Sequence, residues 1–564
     1  LGRRFRITGD VRIDNRDEVI PLLEPETRAA LRAAPDAALV LHAWRRWGGR
    51  ALDRLVGDFA LAIWDAGKRR LTCVRDPLGI KPLYYTRDGD RLLFASAIEP
   101  ILAALDRRPP FNEPLIRDFL CDHHDRWSHE TAYRGIFSLP PAHRLDAVDG
   151  RVSTSRYFEF APVCEREGLS DDEWIERFRE LFGKVVMSRT RTASPLGLQV
   201  SGGVDSSSMA SLIHDRCSRS GHNGDRHPIL YSYVSKSSRF KDADEREYLE
   251  ELVHHCSGWE TRLLDNDQMW SLQEDARDAG FRPDEPETWL IRRTTVDLYR
   301  QAGQDGCRVV LTGLGGDQVL HGDAYANPYR LGRVRLGELG EEWKYFAHRT
   351  GSSTPSLLLM GVVLPRLRPF VPEAVLRLRR RLRRRIEGMP DWVVPNGHDS
   401  RTAGRVAADG GIPLQNGYWQ RGMALVEYTA ASHGIELRHP YLDRRLVEFA
   451  RMLPRRQLYR GGVDKAVLRL GMRGILAEKI RTRTDRGICW EAVHFGWRKE
   501  RLKIERYLRD SSTCALGWTD PERLKGAWSR FWAGDDSQTW QLSAWLNVEL
   551  WLERLGRKPA QLGR

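Results

Sequence analysis

Two carboxylates set just behind two glycine turns carry the most specific chemistry in this chain. The first lies in Leu198-Gln199-Val200-Ser201-Gly202-Gly203-Val204-Asp205-Ser206-Ser207-Ser208, which reads as a short buried strand, a tight turn and the start of a helix. Gly202 and Gly203 permit the turn and let a ligand come close to the backbone. The amides that follow, at a helix N-terminus, form an anion site, and Ser201, Ser206 and Ser207 add hydroxyl donors. Asp205 repels a bare phosphate but suits one bridged by Mg²⁺. The second turn lies in Val309-Val310-Leu311-Thr312-Gly313-Leu314-Gly315-Gly316-Asp317, again a strand ending in glycines and a carboxylate. Two such loops can place Asp205 and Asp317 on one Mg²⁺–pyrophosphate assembly.

The elements that must position these loops are legible around them. Trp174, Phe178, Leu181, Phe182 and Val185 recur at helical spacing, which predicts a helix over 171–189. A buried strand over 229–234 and a helix over 242–256 follow the first loop. This order predicts an α/β fold with a doubly wound parallel sheet, whose ligands bind beyond the carboxyl ends of the strands. Residues 1–160 read differently. Short strands at 5–7, 11–13, 59–64, 71–75, 83–86 and 92–95, with a helix at 37–47, predict an antiparallel β sandwich with helices. Residues 159–169 read as a linker and 170–564 as the second domain. The last sixty residues are tryptophan-rich and helical, and are expected to cap the core.

Composition narrows the function classes. The 564 residues are 41% hydrophobic and 30% charged, ordinary for a soluble multidomain protein. The longest apolar stretch, 357–364, is too short to span a bilayer, so no membrane role is expected. Eight cysteines without a CxxC pair predict reduced thiols, a cytoplasmic setting and no zinc site. The net charge of +13 fits nucleic acid, an acidic peptide or an arginine-rich composition alone. A basic insertion over about 323–410 contains the run Leu376-Arg377-Leu378-Arg379-Arg380-Arg381-Leu382-Arg383-Arg384-Arg385. A solvated helix face or disordered insertion, a peptide- or partner-binding arm, and a nucleic-acid arm are the readings open. Nucleic acid is disfavoured, because no aromatic residues interleave the arginines.

Ser201-Gly202-Gly203-Val204-Asp205-Ser206 resembles the pyrophosphate loop of the N-type ATP pyrophosphatases, which cleave ATP between the α- and β-phosphates. It is not a Walker A loop, because no Gly-Lys-Ser/Thr follows. Leu55 to Asp65, Arg75-Asp76-Pro77-Leu78-Gly79-Ile80-Lys81-Pro82-Leu83-Tyr84-Tyr85 and Phe94 to Glu99 resemble the glutamine amidotransferase domain of asparagine synthetases. That family uses an N-terminal cysteine; none of the cysteines lies near the beginning here, a point without weight in a sequence that starts at Leu1. More telling, Thr8-Gly9-Asp10 stands where the family has an Asn-Gly-Glu turn that holds glutamine. Asp36 matches the aspartate for the glutamine amine. The domain is therefore expected to be an inactive glutaminase with a structural role.

The second loop, His439-Pro440-Tyr441-Leu442-Asp443 and Asp464-Lys465-Ala466-Val467-Leu468-Arg469 resemble the synthetase domain of asparagine and β-lactam synthetases. The resemblance implies ATP and Mg²⁺, with nucleotide contacts at Val200, Ser201, Gly202, Gly203, Asp205, Ser206, Ser207, Tyr233, Thr312 and Gly313. It implies metal contacts at Asp205 and Asp317. Lys465 is expected to stabilise charge in the transition state, and Glu427 is the candidate general base, with a structural carboxylate as its alternative. Glu436 is expected in an ion pair, and Asp443 is expected to orient the pocket wall. Leu314 stands where those families carry a catalytic glutamate or tyrosine, so neither ammonia nor a β-lactam precursor is the expected substrate. Taken whole, the chain is most similar to the lasso peptide cyclases. That resemblance implies a linear core peptide as substrate, closed into a macrolactam, with a leader peptidase and a leader-recognition protein as partners. The rival readings are an amide-forming enzyme acting on a small molecule, a catalytically dead scaffold, and a tRNA-modifying pyrophosphatase.

Overall fold

The computed structural model describes residues 4–121, 127, 129–162, 168–219, 227–235, 244–268, 270, 272–273, 283–287, 292–320, 390–395, 413–460, 463–484 and 490–556. The arginine run lies outside them. The first strand, β1 (Phe5–Ile13), is unbroken and pairs antiparallel with β2 (Gly57–Asp65) along its whole length. The two short strands and the turn expected here are thus a single strand. Thr8, Gly9 and Asp10 sit in the ladder opposite Ala62, Leu61 and Ala60. Gly9 makes this possible: its φ is +150°, and a Cβ there would lie 2.3 Å from the Ala60 carbonyl oxygen.

The strands β3 (Arg70–Arg75), β4 (Tyr84–Asp88), β5 (Arg91–Ala95), β6 (Phe137–Ser138), β7 (His143–Val148) and β8 (Arg151–Arg156) complete two antiparallel sheets, β1-β2-β3-β7-β8 and β5-β4-β6. Alternation along β2 explains the layering. Phe59, Leu61 and Ile63 pack with Leu39, Val40 and Ala43 of the helix Asp36–Trp47. Ala60 and Ala62, on the other face, pack with Leu83, Leu139 and Phe94.

The second domain opens with the helix Asp171–Ser188, started by a capping box in which Ser170 and Glu173 satisfy each other's backbone amides. Its strands are β9 (Leu196–Gln199), β10 (Ile229–Val234), β11 (Thr261–Asp265), β12 (Val309–Leu311) and β13 (Glu436–Arg438). They form one sheet in the order β11-β10-β9-β12-β13, parallel throughout. From β9 the chain builds outward first on one side and then on the other. The crevice between the ends of β9 and β12 is therefore the topological switch point, where such sheets bind ligands. One face packs Leu198, Leu230 and Leu311 against Phe178, Phe182 and Met209. The other packs Tyr231, Val310 and Leu437 against Leu298, Tyr299 and Val426.

The C-terminal helices do not cap this sheet. Trp497, Trp518, Trp528, Trp545 and Trp551 share a core with Phe111, Ile116, Phe119 and Tyr133 of the first domain. The chain's end thus closes back on its beginning.

The two domains also meet across buried charge. Arg189, from the second domain, donates to both carboxylate oxygens of Asp58 at 2.6 and 3.1 Å and pairs with Asp14 at 3.1 Å. It lies 3.8 Å from Asp443. Asp443 therefore serves this joint. It also caps the helix Arg444–Ala450 by accepting from the Arg445 amide at 2.9 Å. Burial pushes the Asp14 carboxyl from 3.8 up to about 6, against the opposing pull of Arg189 and Arg12. A carboxyl raised in the folded state contributes stability that is complete below the unfolded value and lost as pH climbs through the folded one. Asp14→Asn cannot ionise. Its melting temperature is expected to gain a few degrees on the wild type as pH rises from about 4 to about 7. Melting curves of both proteins over that range check this; parallel curves would contradict it.

Candidate active site at the switch point

The loop after β9 is held by its own serines. The Val200 amide donates to the Tyr231 carbonyl at 2.9 Å, which keeps the chain in the sheet up to the turn. The Ser201 amide donates to Ser206 Oγ at 3.2 Å, and the Gly203 amide donates to Ser201 Oγ at 3.2 Å. Two hydroxyls thus hold amides that an incoming anion can claim. Gly202 has φ +77°, and a Cβ there would sit 2.9 Å from Tyr248 Cβ. Its carbonyl accepts from Arg483 at 3.1 Å, while that guanidinium covers the Tyr248 ring at 4.0 Å and pairs with Glu245 at 2.8 Å. Arg483 therefore fixes the turn from behind.

Asp205 and Asp317 come together, as their spacing in sequence predicts. Lys465 Nζ lies 2.5 Å from Asp205 and 2.7 Å from Asp317. The approach of the two loops depends on glycine. A Cβ on Gly316 would lie 2.5 Å from Asp205 Cγ, and one on Gly313 would lie 3.1 Å from the Ser206 amide nitrogen. Gly316→Ala is accordingly expected to push the carboxylates apart and weaken Mg²⁺–ATP binding at least tenfold, with the fold retained. Titration of the variant with Mg²⁺–ATP checks this; wild-type affinity would show the contact to be slack.

Lys465 is delivered by backbone strain. It follows the hairpin of β14 (Tyr459–Arg460) and β15 (Val463–Asp464) and precedes the helix Ala466–Gly471. Its φ and ψ are 55° and 39°, left-handed values that cost a residue with a side chain about 1–2 kcal/mol. Arg469 anchors the turn by donating to the Asp464 carbonyl at 2.8 Å. Such strain persists where surroundings over-determine it, and it clusters at functional sites.

The electrostatics of the cluster suit a cation. Burial raises the Asp205 carboxyl, and Asp317 adds to the rise against the pull of Lys465. Burial works against the Lys465 ammonium, but both carboxylates outweigh it and hold it above the usual lysine range. Asp205 Oδ1 is buried and has no hydrogen-bond partner among the described residues. An orphaned carboxylate oxygen facing a second carboxylate fits Mg²⁺, which takes one or two carboxylates and draws its remaining ligands from water and phosphate. No group of three or more metal-ligating side chains occurs among the described residues, so the nucleotide would have to complete the shell.

Other expected residues fall differently. Ser207 is fully buried, so its hydroxyl is not presented to a ligand; it belongs to the inner face of the helix Val204–Arg219. Tyr233, near the end of β10, packs partly buried on the Tyr231 side of the sheet. Leu314 joins an apolar cluster with Leu78, Ile80 and Leu442. Glu436 pairs with Arg438 at 2.7 Å, the expected structural role.

Glu427 is not the free base expected of it. One oxygen accepts from Lys81 Nζ at 2.6 Å, and the other lies 3.3 Å from His439 Nε2. Burial works to raise its carboxyl, but Lys81 and His439 prevail and hold it below the ordinary glutamate range. An acid kept ionised by two partners is a poor proton acceptor. His439 in turn places Nδ1 2.7 Å from Thr312 Oγ1. Sequence reasoning passed over Lys81 and His439. A lysine in the apolar run Leu78-Gly79-Ile80-Lys81-Pro82-Leu83 was the available signal, since a lysine among such neighbours needs a buried partner.

Tyr441, fully buried, braces the helix that carries Asp205. Its hydroxyl donates to the Asp205 carbonyl at 2.9 Å.

Comparison with known proteins now decides the family. The asparagine synthase family model matches residues 177–553, a span that holds both glycine loops and Lys465. The chain belongs to the asparagine synthase family. The family model of a glutamine amidotransferase domain matches residues 11–158. The asparagine synthetase [glutamine-hydrolyzing] 3 of Bacillus subtilis is 26% identical over 243 residues, covering 41% of this chain and 39% of that protein. A Penicillium rubens protein named amidase chyE is 26% identical over 299 residues, covering 51% of this chain and 43% of its own. A putative asparagine synthetase of Mycobacterium bovis is 25% identical over 485 residues, covering 78% of this chain and 67% of its own. The chain thus spans about two fifths of the length of the first of these relatives. A solved glutamine phosphoribosylpyrophosphate amidotransferase from B. subtilis aligns over 56% of this chain and 62% of that one, at 11% identity and a TM-score of 0.20, a likeness too slight to bear on the fold.

In this asparagine synthase family chain Thr8-Gly9-Asp10 and Asp36 are engaged in ladder, hydrogen-bond and ion-pair contacts. Thr8, Gly9 and Asp10 lie in the β1–β2 ladder. Asp36 is a clamp: its Oδ2 accepts from the Ile13 amide at 2.9 Å and pairs with Arg191 at 2.6 Å, and its Oδ1 is taken by Arg16. Three donors thus share this carboxylate. No described helix is long and apolar enough to cross a membrane.

Proposed function

We propose that this chain is a lasso peptide cyclase, an ATP-dependent ligase that closes a linear core peptide into a macrolactam. The observation that carries the ligase reading is the Asp205–Lys465–Asp317 cluster at the switch point. A glutamine place spent on structural contacts, with Leu314 in an apolar cluster, favours an amine that arrives on the substrate itself.

The chemistry follows from the charges. An Asp or Glu side-chain carboxylate of the peptide attacks the α-phosphorus of ATP. The bond from that phosphorus to the bridging oxygen breaks, and pyrophosphate leaves. The loop amides after Ser201 bind the departing pyrophosphate. Asp205 and Asp317 would hold Mg²⁺, which supplies charge neutralisation there. The peptide's N-terminal nitrogen then attacks the acyl carbon, the carbon–oxygen bond to AMP breaks, and the amine proton passes to the departing phosphate. Lys465 is charged throughout and stabilises the negative charge gathered on the tetrahedral carbon and its phosphate. Both steps depend on holding a flexible peptide in one folded shape, an entropic cost that the enzyme must offset.

The names of the relatives favour a second reading, an amide-forming ligase acting on a small molecule with ammonia or another amine. One experiment separates the two. The protein is incubated with Mg²⁺–ATP and either linear peptides bearing an internal Asp or Glu or aspartate with ammonia. AMP and pyrophosphate are measured, and the peptide is weighed by mass spectrometry. Loss of one water from a peptide supports the cyclase. AMP released only with the small molecule would overturn it.

A further inference from the structure

We infer that Lys81, carried by the amidotransferase-like domain, is a positioning residue for the nucleotide loop of the other domain. The inference rests on the nucleotide reading of the Thr312–Asp317 loop.

A path of polar contacts, buried from Lys81 onward and beginning at the exposed Asp10, joins the two. Asp10 lies 3.2 Å from Lys81, Lys81 lies 2.6 Å from Glu427, Glu427 lies 3.3 Å from His439, and His439 lies 2.7 Å from Thr312. Lys81 and Glu427 expose 3% and 8% of their side chains, and His439 none. Buried charges of this kind persist only when paired and fully hydrogen-bonded.

Lys81 is set before it meets its partner. Its amide donates to Asp76 at 3.0 Å, and its carbonyl accepts from Arg75 at 2.8 Å. Asp76 also accepts from the Leu78 and Ile80 amides, both at 3.0 Å. The turn abuts the second domain: a Cβ on Gly79 would lie 2.3 Å from Gln420 Oε1, and Gln420 donates to the Leu78 carbonyl at 2.9 Å. The ammonium is thus carried on a rigid loop that fits one place on the helix Gly417–Ala431.

The far end of the path has a definite geometry. A carboxylate only accepts, so His439 Nε2 carries the proton shared with Glu427. In the neutral ring Nδ1 then accepts from the Thr312 hydroxyl. Thr312 Oγ1 is left to accept from the Leu314 amide at 3.3 Å. The loop that brings Gly313 and Gly316 against Ser206 and Asp205 begins at this residue. Removing the charge on Lys81 releases Glu427, lets the imidazole turn, and loosens the loop's first residue. Lys81 touches no reacting atom and acts through Glu427 and His439 alone.

Lys81→Met by itself strands Glu427 in the interior and can unfold the joint. The test therefore pairs it with Glu427→Gln, which removes both charges and keeps the volume. Mg²⁺–ATP affinity and ATP-dependent AMP formation are measured for the wild type, Lys81→Met/Glu427→Gln, Thr312→Val, and the triple variant. The paired variant is expected to stay folded, to bind Mg²⁺–ATP about tenfold more weakly, and to keep the wild-type KM for the linear peptide. Adding Thr312→Val to it is expected to cost little more, because changes along one path are not additive. Lys81→Arg is expected to recover most of the affinity. Wild-type ATP affinity in the paired variant, or a full additive loss in the triple variant, would overturn the inference. Failure of the wild type to bind Mg²⁺–ATP would instead overturn the nucleotide reading on which it rests.

Discussion

Lys465→Met is expected to lower the rate of AMP formation about 10³-fold, the scale on which a charge-stabilising donor acts in a water-poor site. The substitution keeps the length of the side chain and removes only its ammonium. What remains is a largely buried Asp205 beside a half-exposed Asp317, the two groups that Lys465 now holds at 2.5 and 2.7 Å. Stability should fall by less than the about 3–5 kcal/mol lost when a fully buried pair is broken, because water screens Asp317. Added Mg²⁺ should restore the melting temperature but not the rate, since it can neutralise the carboxylates without reaching the acyl carbon. Recovery of both would mean that Lys465 serves only as a counter-ion.

Asp205→Asn is expected to abolish ATP-dependent product formation, and the matching change at Asp317 to do nearly as much. Asparagine fills the same space and still meets Lys465, but it brings no charge to a metal ion. Asp205 should be the more sensitive position. Its side chain is 17% exposed against 50% for Asp317, so water cannot take over its contact. Product formation across a range of Mg²⁺ concentrations checks this, with circular dichroism as the control for folding. Full turnover by a folded Asp205→Asn variant would remove the carboxylate pair from the chemistry.

Much of this site was readable from the chain itself. Backbone constraints announce themselves: glycines at 202, 203, 313, 315 and 316 mark turns that tolerate little else, and alternating strand and helix patterns fix a doubly wound sheet around them. Thr8-Gly9-Asp10 misled because a glycine that reads as a turn can equally mark close strand crossing, and only the opposite strand distinguishes the two. Glu427 misled for a different reason. Its ionisation is governed by Lys81, 346 residues away, and no local pattern reports a partner at that distance. Ser207 lies one residue past Ser206 on the same helix, and that single step turns the hydroxyl from the loop into the core. The tryptophan-rich C-terminal helices were expected to cap the core of their own domain, but their partners sit in the other one, a relation set by tertiary packing.

The joint around Arg189 limits how such a protein can be divided or recombined. Its counter-ions Asp14 and Asp58 come from one domain and Asp443 from the other. Excising either half would part Arg189 from Asp14 and Asp58 and leave buried ions without these partners, and a chimaera joining halves from different relatives would do the same unless the seam were transplanted with them. Heritable change in this pair of modules is therefore constrained to proceed in step. The amidotransferase-like domain is thereby part of its neighbour's architecture.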